Sequence, residues 1–292
     1  MSLIKTIMFI INHPLNKRNK RKSIIRYLKW QINSYLNPYK IIYPFTERSY
    51  LIVAKGMTGA TGNVYCGLHE FIEMSFLLHF LRQDDLFVDI GANIGSYTIL
   101  ASAHVGAKTI SFEPVPETFS ILLQNIAINN VFNKVTTYNL AVGNTNGVIN
   151  FTKDHDTMNH AAISSDSNVI EVKICKCDDI LKNQNPTLLK IDVEGYETEV
   201  INGAFETLKK ESLKAIIIEL NGSGNRYGCD EKNIHEKLLA IGFYPSIYNP
   251  FTRQLKKIEP FKMQNTIYIR DFNFVNMRLL SGDKINIFNN SF

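Results

Sequence analysis

Apolar positions along this chain follow two rhythms. Short strand-like segments centred on apolar residues, several of them near-continuous as in strands buried on both faces, fall at 86–90, 108–112, 135–140, 187–191 and 215–220. Between them lie stretches with helical spacing at 94–104, 116–129, from about 196, and 230–240. Two more strands are expected near 243–248 and 265–270. Their link holds Pro250 and Gln254-Leu255-Lys256-Lys257 and leaves no room for a helix, so they should pair as an antiparallel hairpin. Together these elements predict an α/β fold: a seven-stranded, mostly parallel sheet, helices on both faces, and an antiparallel hairpin at the C-terminal end. Two β-like runs, Val148–Phe151 and Val169–Cys175, flank the polar stretch TKDHDTMNHAAISSDSN, which reads as an active-site loop.

Upstream of the first core strand, Leu68, Phe71, Ile72, Phe76, Leu77, Phe80 and Leu81 mark an amphipathic helix. Before it, Ser49–Ala54 suits a strand, and KGMTGATGN reads as a loop: Gly56, Gly59 and Gly62 argue against a helix or a regular strand. In residues 1–45, Ile24, Ile25, Leu28, Ile32 and Leu36 recur at helical spacing with basic residues between them. The expected division is an N-terminal extension over 1–62, a main domain over 63–281 and a tail over 282–292.

Charge changes this picture at one end. Of a net +5, seven positive charges crowd into Lys17, Arg18, Lys20, Arg21, Lys22, Arg26 and Lys29, which leaves the remainder at −2. The main domain is therefore no basic platform, and no nucleic-acid partner is expected. Segment 17–29 has two readings: a helix packed on the domain or on a partner subunit with a solvated basic face, or a helix that meets a membrane surface or an anionic partner, which Trp30 would suit. Cys66, Cys175, Cys177 and Cys229 lack CxxC spacing and read as reduced thiols. Residues 3–10 are apolar but too short to span a bilayer and lack a small-residue cleavage site, so a cytoplasmic protein is expected.

The candidate chemistry sits at the ends of strands. Leu86–Pro114 reads strand, glycine turn (Gly91-Ala92-Asn93-Ile94-Gly95), helix, strand, acid (Glu113): half of a nucleotide-binding α/β unit. The spacing is not GxGxxG, Asn93 stands where a pyrophosphate needs bare backbone, and Asp89 ends the strand where dinucleotide sites usually carry no acid. These details favour S-adenosylmethionine over NAD, although Glu113 could accept from ribose hydroxyls of either. A second constellation, LLKIDVEGYE, brings Lys190, Asp192 and Glu194 to the rim where open α/β sheets bind ligands. An elevated-affinity base, a metal pair, or a helix cap by Glu194 with Lys190 in an ion pair are all open readings. Glu219 and Asn221 end the next strand on the same rim. His69, His155 and His160 are candidate bases for an acceptor hydroxyl.

FVDIGANIGSYT, FEPVPETF, NLAVGN, VKICKCDDIL, LLKIDVEGYE, IIIELNG and NTIYIRD occur here in that order. In this the chain resembles the FkbM family of S-adenosylmethionine-dependent methyltransferases over roughly residues 65–271. The resemblance implies a class I, Rossmann-like methyltransferase fold with a C-terminal antiparallel strand. It implies methyl transfer, usually to a hydroxyl of a sugar, glycan or small natural product. By motif position it puts Asp89, Gly91, Asn93 and Gly95 in the donor pocket and Glu113-Pro114 at the ribose. Ala141-Val142 would lie near the adenine, and Asp192 and Glu194 beside the reacting centre, with His160 as a further catalytic candidate. One departure is Lys176-Cys177 before Asp178-Asp179, where the family usually has threonine-leucine. No metal ligand is assigned, although a divalent cation fits the acids. The rival expectations are an NAD-dependent oxidoreductase and a catalytically idle donor-binding module. A nucleobase amine is a poor acceptor, because Asp192-Val193-Glu194-Gly195 stands where enzymes of that kind carry Asn-Pro-Pro-Tyr or Asp-Pro-Pro-Tyr.

Overall fold

Strands with no polar alternation need cover on both faces, and this constraint organises the whole chain. The computed structural model describes residues 3–153, 159–261 and 264–292. Helices α1 (Leu3–Asn12) and α2 (Lys20–Leu36) lead to a hairpin, β1 (Ile41–Thr46) and β2 (Ser49–Val53). Helices α3 (Thr58–Cys66) and α4 (Phe71–Phe80) precede β3 (Leu86–Ile90). Then come α5 (Ser96–Ile99), which continues as a wider-wound π turn through Val105, β4 (Lys108–Phe112), α6 (Pro116–Ile128) and β5 (Val135–Tyr138). A side excursion forms β6 (Ala141–Gly143), β7 (Gly147–Thr152), β8 (Val169–Lys176) and α7 (Cys177–Leu181). The chain returns through β9 (Leu188–Ile191), α8 (Glu197–Gly203), α9 (Phe205–Lys209), β10 (Ala215–Glu219) and α10 (Glu231–Ala240). It ends with β11 (Tyr244–Asn249), β12 (Gln254–Lys257), β13 (Asn265–Ile269) and α11 (Phe272–Ser281), followed by a small hairpin that brings Phe292 back to the core.

The main sheet runs β12-β11-β13-β10-β9-β3-β4-β5. Strands β5, β4, β3, β9 and β10 are parallel, while β13 lies antiparallel between β10 and β11. This is the Rossmann-like order of class I methyltransferases, with an antiparallel strand at the C-terminal end. The expected pairing of the last two strands is present, Tyr244 opposite Ile269 and Ser246 opposite Ile267. The sheet has eight strands, not seven: the link between those two strands forms β12, which pairs with β11 at the sheet edge. Gln254, Lys256 and Lys257 are exposed there, as an edge strand that must not recruit another chain requires, and so the run looked like a polar link.

Two apolar clusters sandwich the sheet. One gathers Phe76, Phe87 and Ile217 with Leu15, Trp30, Leu51, Ile287 and Phe292, so both termini of the described chain contribute to it. The other gathers Val88, Ile110, Ile191, Ile216 and Phe243. The two β-like runs flanking the polar loop pair antiparallel as β7 and β8 in a separate three-stranded sheet with β6. The cysteines are free thiols, three buried and Cys229 half-buried.

The glycine stretch 56–62 departs from expectation, because Thr58–Cys66 is helical. Among its glycines only Gly56 has a left-handed φ, +93°. Gly62 serves close approach instead: a Cβ there would lie 2.4 Å from Nδ1 of His69. Asn63, one residue on, donates to Oγ of Ser96 at 3.2 Å and accepts from the His69 backbone N–H at 2.8 Å. Helix α3 is thereby fastened to the turn that follows β3. Gly62→Ala should therefore lower unfolding stability by about 1–3 kcal/mol through overpacking, measured by urea denaturation. An unchanged midpoint would show that the His69 ring yields freely.

Candidate active site

Chain order reverses between β3 and β9, and the crevice outside the C-terminal ends of these two strands is where an open α/β sheet receives a ligand. The glycine turn after β3 is pressed against the end of β9. Gly91 has φ +81°, and a Cβ on it would lie 1.8 Å from the carbonyl oxygen of Asp192. Any side chain there would drive the two strand ends apart. The N–H groups of Gly91 and Ala92 both donate to the Phe112 carbonyl, at 3.1 and 2.9 Å, which ties the turn to β4. Asn93 also has a left-handed φ, +52°, and its side chain accepts from the Ile94 N–H at 2.7 Å. That short polar side chain stabilises the unusual backbone locally.

Glu113 at the end of β4 is buried, and its two carboxylate oxygens accept from the N–H groups of Asn93 and Val115, each at 2.9 Å. Burial pushes its carboxyl up to about 7, even though both N–H donors favour the charged form. Each oxygen retains a lone pair for a ligand hydroxyl.

Lys190 anchors the other wall. It is 3% exposed, its Nζ donates to Oδ2 of Asp192 at 2.7 Å, and the ammonium sits 4.7 Å from the centre of the Tyr97 ring. Burial alone would lower its proton affinity; the carboxylates of Asp192, Glu70 and Asp89 outweigh this and raise it. Carboxylate oxygens of Asp192, Glu194 and Glu219 lie within 4.8 Å of one another, a spacing that a divalent cation could bridge. Burial first, then repulsion from Asp192, pushes Glu194 up to about 7 and Glu219 up to about 8. Glu194 does not cap the following helix. Glu197 does the corresponding work: its buried Oε1 accepts from the N–H groups of Val193 and Gly195, both at 3.2 Å, and shapes the turn that leaves Glu194 at φ +53°.

These walls enclose one cavity of about 250 Å³. Of the residues singled out in the sequence, His69, Gly91, Asn93, Glu113, Pro114, Lys190, Asp192, Glu194 and Glu219 line it. Ala141 and Val142 line a smaller apolar cavity that shares Gly91 and Pro114 with it. Gly95 stands behind the turn, where a Cβ would meet Leu122 at 2.4 Å. Asp89 is 1% exposed, lies outside the cavity lining and accepts from Oγ1 of Thr98 at 2.7 Å, so its carboxylate braces the turn from within the sheet. His160 is buried, with Nε2 3.3 Å from Asp166, and is not among the residues that line the cavity, although its neighbour Asn159 is. His155 lies outside the described residues.

Sequence reasoning missed Glu70 and Tyr97. Both line the cavity, and Glu70 accepts from Nδ2 of Asn265 at 2.5 Å, so it is held by a strand far away in the chain. The lead-in GLHEF was the available signal, and His69 beside it also lines the cavity. A larger open groove of about 750 Å³ around Arg270 and Asp271 shares no residue with this cavity.

The glycine turn and the buried Glu113 thus face a lysine-anchored acidic rim across one cavity. The methyltransferase FkbM domain matches residues 89–244, more than half of the chain. The chain belongs to the FkbM methyltransferase family. It is 28% identical over 167 residues to the hexuronic acid methyltransferase AglP of Haloferax volcanii, covering 56% of this chain and 65% of that protein, just under two thirds. It is 24% identical over 199 residues to Methyltransferase 1 of Beauveria bassiana, covering 59% and 78%. Among solved structures it is similar to precorrin-6y C5,15-methyltransferase of Geobacter metallireducens, with 16% identity, a TM-score of 0.41, and coverage of 78% and 96%. It is also similar to M. capricolum TrmK in complex with S-adenosyl-homocysteine, with 10% identity, a TM-score of 0.39 and 68% of each chain covered.

The acidic rim makes a pH prediction. A carboxyl raised from 4.5 to about 8 keeps its proton in the folded chain and loses it in the unfolded chain. Stability from Glu219 therefore falls as pH rises from about 4.5 through 8. With chelator present to strip bound cations, Glu219→Gln should unfold at a higher temperature than the parent at pH 8.5, by more than about 2 °C, and with little advantage at pH 5. A difference that is flat across this range would refute the protonation of Glu219.

Proposed function

We propose that this protein transfers the methyl group of S-adenosylmethionine to a hydroxyl group of a sugar, glycan or small natural product. The observation that carries the reading is the shared cavity: the glycine turn and Glu113 form one wall, and Lys190, Asp192, Glu194 and Glu219 form the other. The wall residues fit the donor. Glu113 has free lone pairs for ribose hydroxyls, and the apolar slot at Leu140, Ala141 and Val142 suits a flat heterocycle. The acidic rim as a whole suits a donor that carries positive charge. When bound, the donor supplies an electrophilic methyl group on a positively charged sulfur.

The chain's own task is to align the acceptor in line with the breaking bond, exclude water and accept a proton. Asp192 has Oδ2 tied to Lys190, which leaves Oδ1 for the acceptor hydroxyl and makes it an orienting group. Glu194 and Glu219, raised to about 7 and about 8, change protonation state near neutral pH, and their ionised forms suit the base. Excess negative charge on this rim also favours a cationic sulfur over a neutral or anionic ligand. The relative from Haloferax volcanii is named for a hexuronic acid, which supports a sugar acceptor.

Two measurements test the proposal. S-adenosylhomocysteine should raise the melting temperature in a ligand-dependent way and NAD should not; stabilisation by NAD alone would replace methyl transfer with a redox reading. Asp192→Asn should leave S-adenosylhomocysteine binding within a few-fold while lowering turnover by at least about 10²-fold. Near-parental turnover in that variant would remove Asp192 from the mechanism.

A further inference from the structure

Helix α2 has two apolar faces, and only one of them is covered. Tyr27 and Trp30, at 8% and 7% exposure, turn inward with Ser23 and Ser34. On the opposite side Ile25, Leu28, Ile32 and Leu36 fall on one stripe, and they are 51%, 51%, 59% and 74% exposed. A soluble helix normally presents charge on that side. Helix α1 contacts α2 and leaves Leu3, Ile4 and Met8 at 61%, 74% and 50% exposure. This is a contiguous stretch of chain with exposed aliphatic residues on both helices, where a water-facing surface tolerates only scattered ones.

The charges around this face all have one sign. Residues 1–46 hold nine lysines and arginines and no aspartate or glutamate. Lys17, Arg18, Lys20, Arg21, Lys22 and Lys29 are all exposed, at the head and flanks of the stripe. A groove of about 460 Å³ runs beside α2, with Lys22 and Lys29 on its walls together with Ile25, Trp30, Ile41 and Tyr43. That lining sets cationic side chains beside apolar ones.

We propose that the α1–α2 face docks on an anionic lipid bilayer, with the aliphatic stripe in the interfacial layer and the lysines and arginines against the headgroups. Charge decides between occupants. Protein–protein interfaces are depleted in lysine, whereas apolar residues flanked by lysine and arginine are the pattern of helices that lie in a membrane interface. Among the described residues no helix is long and apolar enough to cross a membrane, so the face lies on the bilayer and does not span it. The docking is independent of the methyl-transfer reading, because it uses no residue of the cavity.

The test is co-flotation of the full chain with vesicles of phosphatidylcholine, with and without an added third of phosphatidylglycerol, at low and high salt. Binding to the anionic vesicles, weakened by salt and absent from pure phosphatidylcholine, is the expected result. Lys22→Ala combined with Lys29→Ala should weaken it roughly 30-fold, at about 1 kcal/mol for each basic side chain near an anionic surface. Ile25→Ser combined with Ile32→Ser should lose binding with an unchanged melting temperature, since both side chains already face water. No flotation, or flotation indifferent to the lysine pair, overturns the proposal. So does a light-scattering dimer that the Ile25→Ser, Ile32→Ser chain converts to a monomer, because the face would then be an interface between copies.

Discussion

The buried ammonium of Lys190 is what permits the rest of the site. It stands at the end of β9 with Asp192 at 2.7 Å, and Glu70 and Asp89 also act on it. Without that charge the crevice would gather acids from several elements with only Arg226, which acts on Glu194 from the exposed side, to offset their repulsion. Removing one partner of a buried ion pair typically costs 3–5 kcal/mol, because the survivor is left buried and unpaired. The rim is thus locally expensive, and it stands only because a strand buried on both faces fixes the lysine in place.

Lys190 and Arg226 do not fully offset the cluster. Glu194 and Glu219 respond by holding protons near neutral pH, and Glu113 across the crevice does the same for reasons of burial. Such groups change state at small energetic cost when charge arrives, which is what a catalytic base or a cation-binding wall requires. The backbone is equally committed. Gly91 touches the Asp192 carbonyl, so the turn that would hold a ligand and the acids that would act on it belong to one rigid contact. A shift in one wall moves the other.

Much of this was legible because parallel strands buried on both faces lose their polar alternation: Val88, Ile110, Leu189 and Ile216–Ile218 announce themselves. The acids at the strand ends followed from the fold class. What stayed hidden depended on distant partners or on packing. Strand β12 has the sequence of a loop because edge strands are polar by necessity. Helix α3 looked like a loop because its glycines serve close approach, at Gly62 against His69, and not a left-handed turn. Glu70 gains its position from Asn265, which no local pattern can reveal. His160 came to notice only for its place in a polar stretch, and no local pattern could show that its Nε2 faces Asp166.

The same helix α3 connects the cavity with the groove beside α2. Its first turn, Thr58 and Gly59, lines the cavity, and Val64 near its end lines the groove beside α2. Arg26 of α2 reaches across to this helix, donating to the Tyr65 carbonyl and to Oδ1 of Asn16. The N-terminal segment is thus bound to the domain by buried contacts and is not a free arm. Its nine positive charges leave the rest of the chain at −4, so the molecule is electrically polarised, with the acidic crevice in the negative part and the aliphatic stripe in the positive part. In the field of an anionic surface such a molecule has a preferred orientation before any contact forms. A single three-turn-scale element then ties the surface that would set that orientation to the wall of the site, and α3 can do so only because Gly62 lets it lie against His69.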